Sequence, residues 1–121
     1  MALGIQSDAS LIKPLEGAIV RRFTAGAAVT VGQVVSIQSD GKVDPSNTTS
    51  AAQANMGIAL SAGGDGDLID VVVFGPVSNL DDATPGLIYD NTTDGTVAAS
   101  KAGNQTKIGV AISSSVLFVQ I

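Results

Sequence analysis

The 121-residue chain has no cysteine, no histidine and no tryptophan. Without cysteine, disulfides and thiolate chemistry are excluded, and with histidine also missing a zinc site would have to rest on carboxylates alone. Lack of histidine also removes the side chain most often used for proton transfer near neutral pH. Aromatic residues are reduced to Phe23, Phe74, Phe118 and Tyr89, too few for a platform on which bases or sugars stack. Charge is sparse as well, at 14% of residues. Its balance is acidic, with six Lys and Arg against eleven Asp and Glu, a formal net charge of −5. Residues 1–22 carry Lys13, Arg21 and Arg22 against Asp8 and Glu16, while the rest carries Lys42, Lys101 and Lys107 against nine aspartates. Phosphate binding needs clustered cations, so an acidic body argues against free nucleic acid as a ligand. No apolar run approaches the length of a membrane-spanning helix. The opening Met-Ala-Leu-Gly-Ile-Gln-Ser-Asp lacks the basic start and apolar core of a secretory signal, so synthesis in the cytoplasm is expected.

What the chain does have is apolar aliphatic content, with 45% hydrophobic residues. With so little charge to cover the surface, some apolar area must be exposed or shielded by a partner, and shielding is the expectation. Helical periodicity is hard to find. Ser46–Asn55, the longest candidate, is rich in Ser and Thr and reads as a loop with one helical turn at most. Strand signals are plentiful: short runs of Val and Ile cut by Gly, Asp, Asn and Pro, near Ala18–Thr24, Val34–Gln38, Gly57–Ser61, Leu68–Phe74, Leu87–Tyr89, Lys107–Ile112 and Val116–Ile121. Asp40-Gly41 and Asp94-Gly95 fall between apolar segments, where Asp-Gly favours a tight hairpin turn.

The chain also echoes itself. Gly32-Gln33-Val34-Val35, Asp40-Gly41-Lys42-Val43, Gly57-Ile58-Ala59-Leu60-Ser61 and Ile69–Phe74 recur in order as Gly86-Leu87-Ile88-Tyr89, Asp94-Gly95-Thr96-Val97, Gly109-Val110-Ala111-Ile112-Ser113 and Val116–Ile121. Two copies of one strand unit, in halves at about 32–74 and 86–121, predict an all-β barrel or sandwich with a pseudo-twofold repeat. Several strands are apolar on both faces. Ile69, Val71 and Val73 alternate with Val72 and Phe74, and Leu117, Val119 and Ile121 with Val116 and Phe118. One face suits the core, and the other needs a second cover, so Val72, Phe74, Val116 and Phe118 are candidate subunit-interface residues. Residues 1–16 have no clean period and are broken by Pro14. They read as an extended arm before a β-rich domain at 17–121, with Leu3, Ile5, Leu11 and Ile12 as anchors for a neighbour.

Reactive constellations are few. Ser10-Leu11-Ile12-Lys13 matches a Ser-x-x-Lys nucleophile pattern but lacks the companion motifs that give it meaning. Asp65, Asp67 and Asp70, set among Gly63, Gly64 and Gly66, are a conceivable Ca²⁺ loop. The EF-hand spacing fails there, and a hairpin loop with solvated carboxylates accounts for it more simply. No phosphate loop is present, no catalytic, cofactor-binding or metal residue is assigned, and the expectation is a non-enzyme without a cofactor.

The run Glu16-Gly17-Ala18-Ile19-Val20-Arg21-Arg22-Phe23-Thr24-Ala25-Gly26, the following Ala28-Val29-Thr30-Val31-Gly32-Gln33-Val34-Val35, then Ser39–Val43, Met56–Leu60 and Gly109–Ile112 resemble tailed-bacteriophage capsid cement (head-decoration) proteins. The likeness spans residues 16–121, through patterns of Gly, Val and Ala. It implies a β-rich domain, commonly a trimer, added to the outside of an expanded icosahedral head, where its partner is the major capsid protein. It implies a virion location, and no catalytic residues. Arg21 and Arg22 at the base of the arm then become candidate capsid contacts alongside Leu3, Ile5, Leu11 and Ile12. A fibre or tail module, binding the head or trimerising, is the alternative structural role.

Overall fold

A computed structural model describes residues 3–47, 54–101, 103 and 105–121. Strand dominates it, and no described residue lies in an α-helix. The strands are β1 (Gly4–Ile5), β2 (Ile19–Thr24), β3 (Val34–Ile37), β4 (Val43–Pro45), β5 (Ala54–Ala59), β6 (Leu68–Val77), β7 (Leu80–Asp81), β8 (Gly86–Asp90), β9 (Val97–Ala98), β10 (Lys107–Ala111) and β11 (Leu117–Val119). The all-β reading is met. Of the Ser46–Asn55 loop, residues 48–53 lie outside the described residues, and Ala54 and Asn55 already belong to β5. Both Asp-Gly pairs sit in hairpins, but the loops between the strands are wider than a two-residue turn. Gly41 and Gly95 supply the positive φ angles of 83° and 71° that those loops need.

The main sheet runs β4-β3-β5-β6-β11-β10-β8-β9, with β2 also paired to β6. Each half follows the same scheme. In the first, β3 pairs with β4 and β5, and β5 with β6; in the second, β8 pairs with β9 and β10, and β10 with β11. All these pairs are antiparallel, and β6 joins β11 at the centre. The bulges match too: the register slips past Met56 on β5 and past Ile108 on β10, each the residue before a glycine. Matching by partners sets Val34, Ile58 and Val72 against Leu87, Val110 and Phe118.

The first half curls until Ala25, just past β2, bridges Val43 on β4. Inside the curl lie Ala25, Val29, Val35, Val43, Ala59, Ile69 and Val71, all buried. The opposite face of the same strands presents Val34, Ile58 and Val72 to a larger core shared with Ile88, Ile108, Ala111, Leu117 and Val119 of the second half. Neighbours on one strand, Val71 and Val72, thus enter different cores. This explains why β6 is apolar on both sides. It also corrects the assignment of Val72 to a subunit interface: the residue is fully buried, because the second half of the same chain is its cover.

The N-terminal segment is extended, as expected, but it lies along its own domain. Gly4 and Ile5 pair with Asp81 and Leu80, Pro14 bridges Val77, and Leu15 N–H donates to the Pro76 carbonyl at 2.9 Å. Ser78 fastens the middle, donating its hydroxyl to the Leu11 carbonyl at 2.7 Å and accepting from Lys13 N–H at 2.9 Å. Ile12 is buried in the larger core, with Leu3 and Ile5 packed against it. The apolar anchors read as contacts for a neighbour therefore dock at home; Leu11 alone of the four points to solvent.

The two halves are also clasped by a polar network. Asp90, buried on β8, accepts from Thr106 N–H at 2.8 Å and from the Asn55 side-chain amide at 2.8 Å, while Asn55 Oδ1 accepts from the Ser46 hydroxyl at 2.6 Å. Removing the carboxylate strands these donors, so Asp90→Ala should lower the unfolding free energy by about 2–3 kcal/mol in urea titration. Backbone contact is equally tight at the repeated glycines: a Cβ on Gly57 would overlap the Val72 carbonyl, and one on Gly109 the Phe118 carbonyl. Gly57→Ala and Gly109→Ala should each cost about 2–3 kcal/mol by the same assay. Gly4→Ala, where nothing approaches within 4 Å, serves as the neutral control.

Candidate interaction surface

The two rows matched by strand pairing meet opposite fates. In the first half Val34, Ile58 and Val72 are at most 1% exposed. Their counterparts Leu87, Val110 and Phe118, which continue across the sheet to Pro76, line the outer face. Leu87 is 49% exposed, and Val110, Phe118 and Pro76 are half-buried. The other face of the second half, with Ile88, Ala111 and Leu117, is spent on the core. The second half thus has one covered face where the first has two.

Further apolar groups extend this row. The Phe74 ring meets Phe118 edge-on, with centroids 5.2 Å apart and planes at 83°, a favoured aromatic geometry. Phe74 is 42% exposed, as is Ile19, its partner on β2. At the β10–β11 hairpin, Ile112 is 55% exposed beside the half-buried Val116. The result is a ribbon crossing β8, β10, β11, β6 and β2. Full burial of an exposed apolar side chain stabilises by roughly 1.5–3 kcal/mol, and these residues are already about half-covered, so each has roughly half of that left to gain against a partner, before the costs of association. Of the interface residues read from sequence, Phe74, Val116 and Phe118 lie on this surface. Ile19, Leu87, Val110 and Ile112 were missed. The repeat held the signal for Val110, which echoes the core residue Ile58, whereas Leu87 falls opposite Gln33 in the amino-acid order and is matched to Val34 only by strand pairing.

Arg21 and Arg22 are exposed on β2, near the Ile19 end of the ribbon. Arg22 Nε lies 3.3 Å from Asp70 Oδ1 in an exposed pair, worth little in water. The Arg21 guanidinium donates to the Val20 carbonyl at 3.1 Å.

The three loop aspartates diverge. Asp65 pairs with Lys42 Nζ at 3.1 Å, Asp67 accepts from Gly64 N–H at 2.9 Å, and Asp70 pairs with Arg22. Among the described residues no group of three or more Asp or Glu is placed to hold a metal ion. Ser10, of the Ser-x-x-Lys match, donates its hydroxyl at 2.6 Å and its backbone N–H at 3.0 Å to Asp8, whose carboxylate caps a short 3-10 turn at Ala9–Leu11. These hydrogen bonds from Ser10 hold the Asp8 carboxyl below its ordinary range.

Asp44 is displaced the other way. Burial raises its pKa, helped by the charges of Asp40 and Asp65 and opposed by Lys42. A raised carboxyl favours the folded state below the ordinary value of 3.8 and loses that advantage as pH climbs through the folded pKa. At neutral pH its charge is therefore a small liability. Asp44→Asn should raise thermal stability at pH 7 by about 0.5 kcal/mol or less, given solvent screening. The gain should vanish in melts below the ordinary carboxylate value.

No protein-family model matches this chain, and no curated protein matches it.

Proposed function

We propose that the protein is a structural decoration subunit that caps the outside of a tailed-phage head as a homo-oligomer and reinforces the shell against internal pressure. One observation carries the reading: the exposed Leu87–Val110–Phe118–Pro76 row, whose counterpart in the first half is sealed. A surface of this composition suits a protein covered by neighbours in use. The sequence likeness to cement proteins supplies the setting and the expected trimer. In that assembly the ribbon packs against neighbouring copies, while Leu11, Arg21 and Arg22 are left for the major capsid protein. Linking several weak contacts in one oligomer raises the effective concentration of each, so the whole grips firmly where one subunit would not.

Light scattering should give a mass three times the 12.0 kDa of the chain. Replacing Leu87 and Val110 by Lys should return that mass to one chain, with an unchanged circular dichroism spectrum. Intact protein should cosediment with expanded tailed-phage heads, and gold-labelled protein should decorate heads and not tails. A monomer that also fails to sediment with shells refutes the assignment.

A further inference from the structure

A cavity of about 460 Å³ lies where the N-terminal segment, the loop before β3 and the β8–β9 hairpin meet. That size falls among small-ligand sites, roughly 300–1,000 Å³. Its apolar lining comes from Ile5, Ala9, Val31 and Ala62, and its polar lining includes two side-chain amides, Gln6 and Gln33. Both amides are held the same way round. Gln6 Oε1 accepts from Asp8 N–H at 3.1 Å, and Gln33 Oε1 accepts from Thr30 N–H at 3.0 Å. Each carbonyl end is occupied by backbone, and neither Nε2 has a hydrogen-bond partner among the described residues. Both glutamines thus keep an amide donor in a lining they share with apolar residues.

Two glycines make this arrangement possible. A Cβ on Gly95 would stand 2.7 Å from Gln33 Cβ and Cγ, so the bare backbone lets the Gln33 stem lie across it. A Cβ on Gly32 would strike Ile5 Cγ2 and Ile12 Cδ1 at 2.7 Å, so the N-terminal wall closes only on glycine. The chemistry of the lining narrows the ligand. None of its side chains is ionisable, so a charged ligand would find no counter-charge there. None is aromatic, which removes the stacking that sugar rings and bases use. A neutral chain with repeated carbonyl acceptors and small apolar side chains matches both the amide donors and the apolar lining.

We propose that this cavity binds an uncharged, extended peptide segment of a partner protein, with Gln6 and Gln33 donating to its carbonyls. The site is separate from the apolar ribbon and does not depend on the capsid assignment.

The test uses the full chain labelled with ¹⁵N and the capped peptide acetyl-Ala-Ser-Val-Ala-amide as probe. Titration to about 20 mM, the range for a weak short ligand, should shift the Gln6 and Gln33 side-chain NH₂ signals and the Gly95 and Thr96 amides, and the shifts should saturate. Ala62→Phe, at an exposed rim position, should fill the space and abolish saturation without altering the remaining spectrum. Gln33→Ala should weaken binding by about tenfold, the worth of one or two hydrogen bonds. No saturable shift, or equal saturation in Ala62→Phe, overturns the proposal. Maltose shifting the same signals where the peptide does not would also overturn it.

Discussion

The burial of Val71 and Val72 on opposite sides of β6 is the constraint on which the molecule rests. A strand that sends consecutive side chains into two cores needs cover above and below, and a short chain has little material to provide it. The first half supplies one cover by curling until Ala25 meets Val43. The second half supplies the other by laying Ile88, Ala111 and Leu117 over Val34, Ile58 and Val72. Stacking is therefore head to tail: the inner face of one repeat sits on the outer face of the other. A head-to-tail stack of two always ends with one outer face uncovered, which is where Leu87, Val110 and Phe118 lie.

The uncovered row sets the second repeat apart from the first more clearly than any single residue does. An exposed leucine alone means little, because much of any protein surface is apolar. A whole row that is core in one repeat and bare in the other means more, since both rows descend from the same strand scheme and differ in their cover. Recognition through such a surface asks for area and fit, and the scarcity of reactive side chains suits that task. The cavity near Gln6 and Gln33 is of another kind: small, lined by five polar side chains among apolar ones, and shaped by glycines that admit close packing.

The N-terminal segment folds onto its own domain. Ser78 holds it at the Leu11 and Lys13 backbone, and Ile12 is sunk in the core, so the segment completes the domain as an added strand. It also forms one wall of the cavity through Ile5, Gln6, Ser7 and Ala9. Release of the segment would remove the wall along with the cover of the core, so the cavity and the docking of residues 3–15 stand or fall together.

Strand class, the order of the repeated units and the Asp-Gly hairpins were legible in the amino-acid order, because β-branched runs and glycine punctuation are local signals. The excess of apolar strand surface was legible too. Which faces would be hidden was not. Val72 and Phe118 occupy matching positions on matching strands, yet one is fully buried and the other half-open, and nothing near either residue distinguishes them. Leu3, Ile5 and Ile12 likewise announce a need for cover without naming its source. Alternation along a strand reports that a side chain has two possible sides; only the distant segment that arrives, or fails to arrive, decides which side is wet.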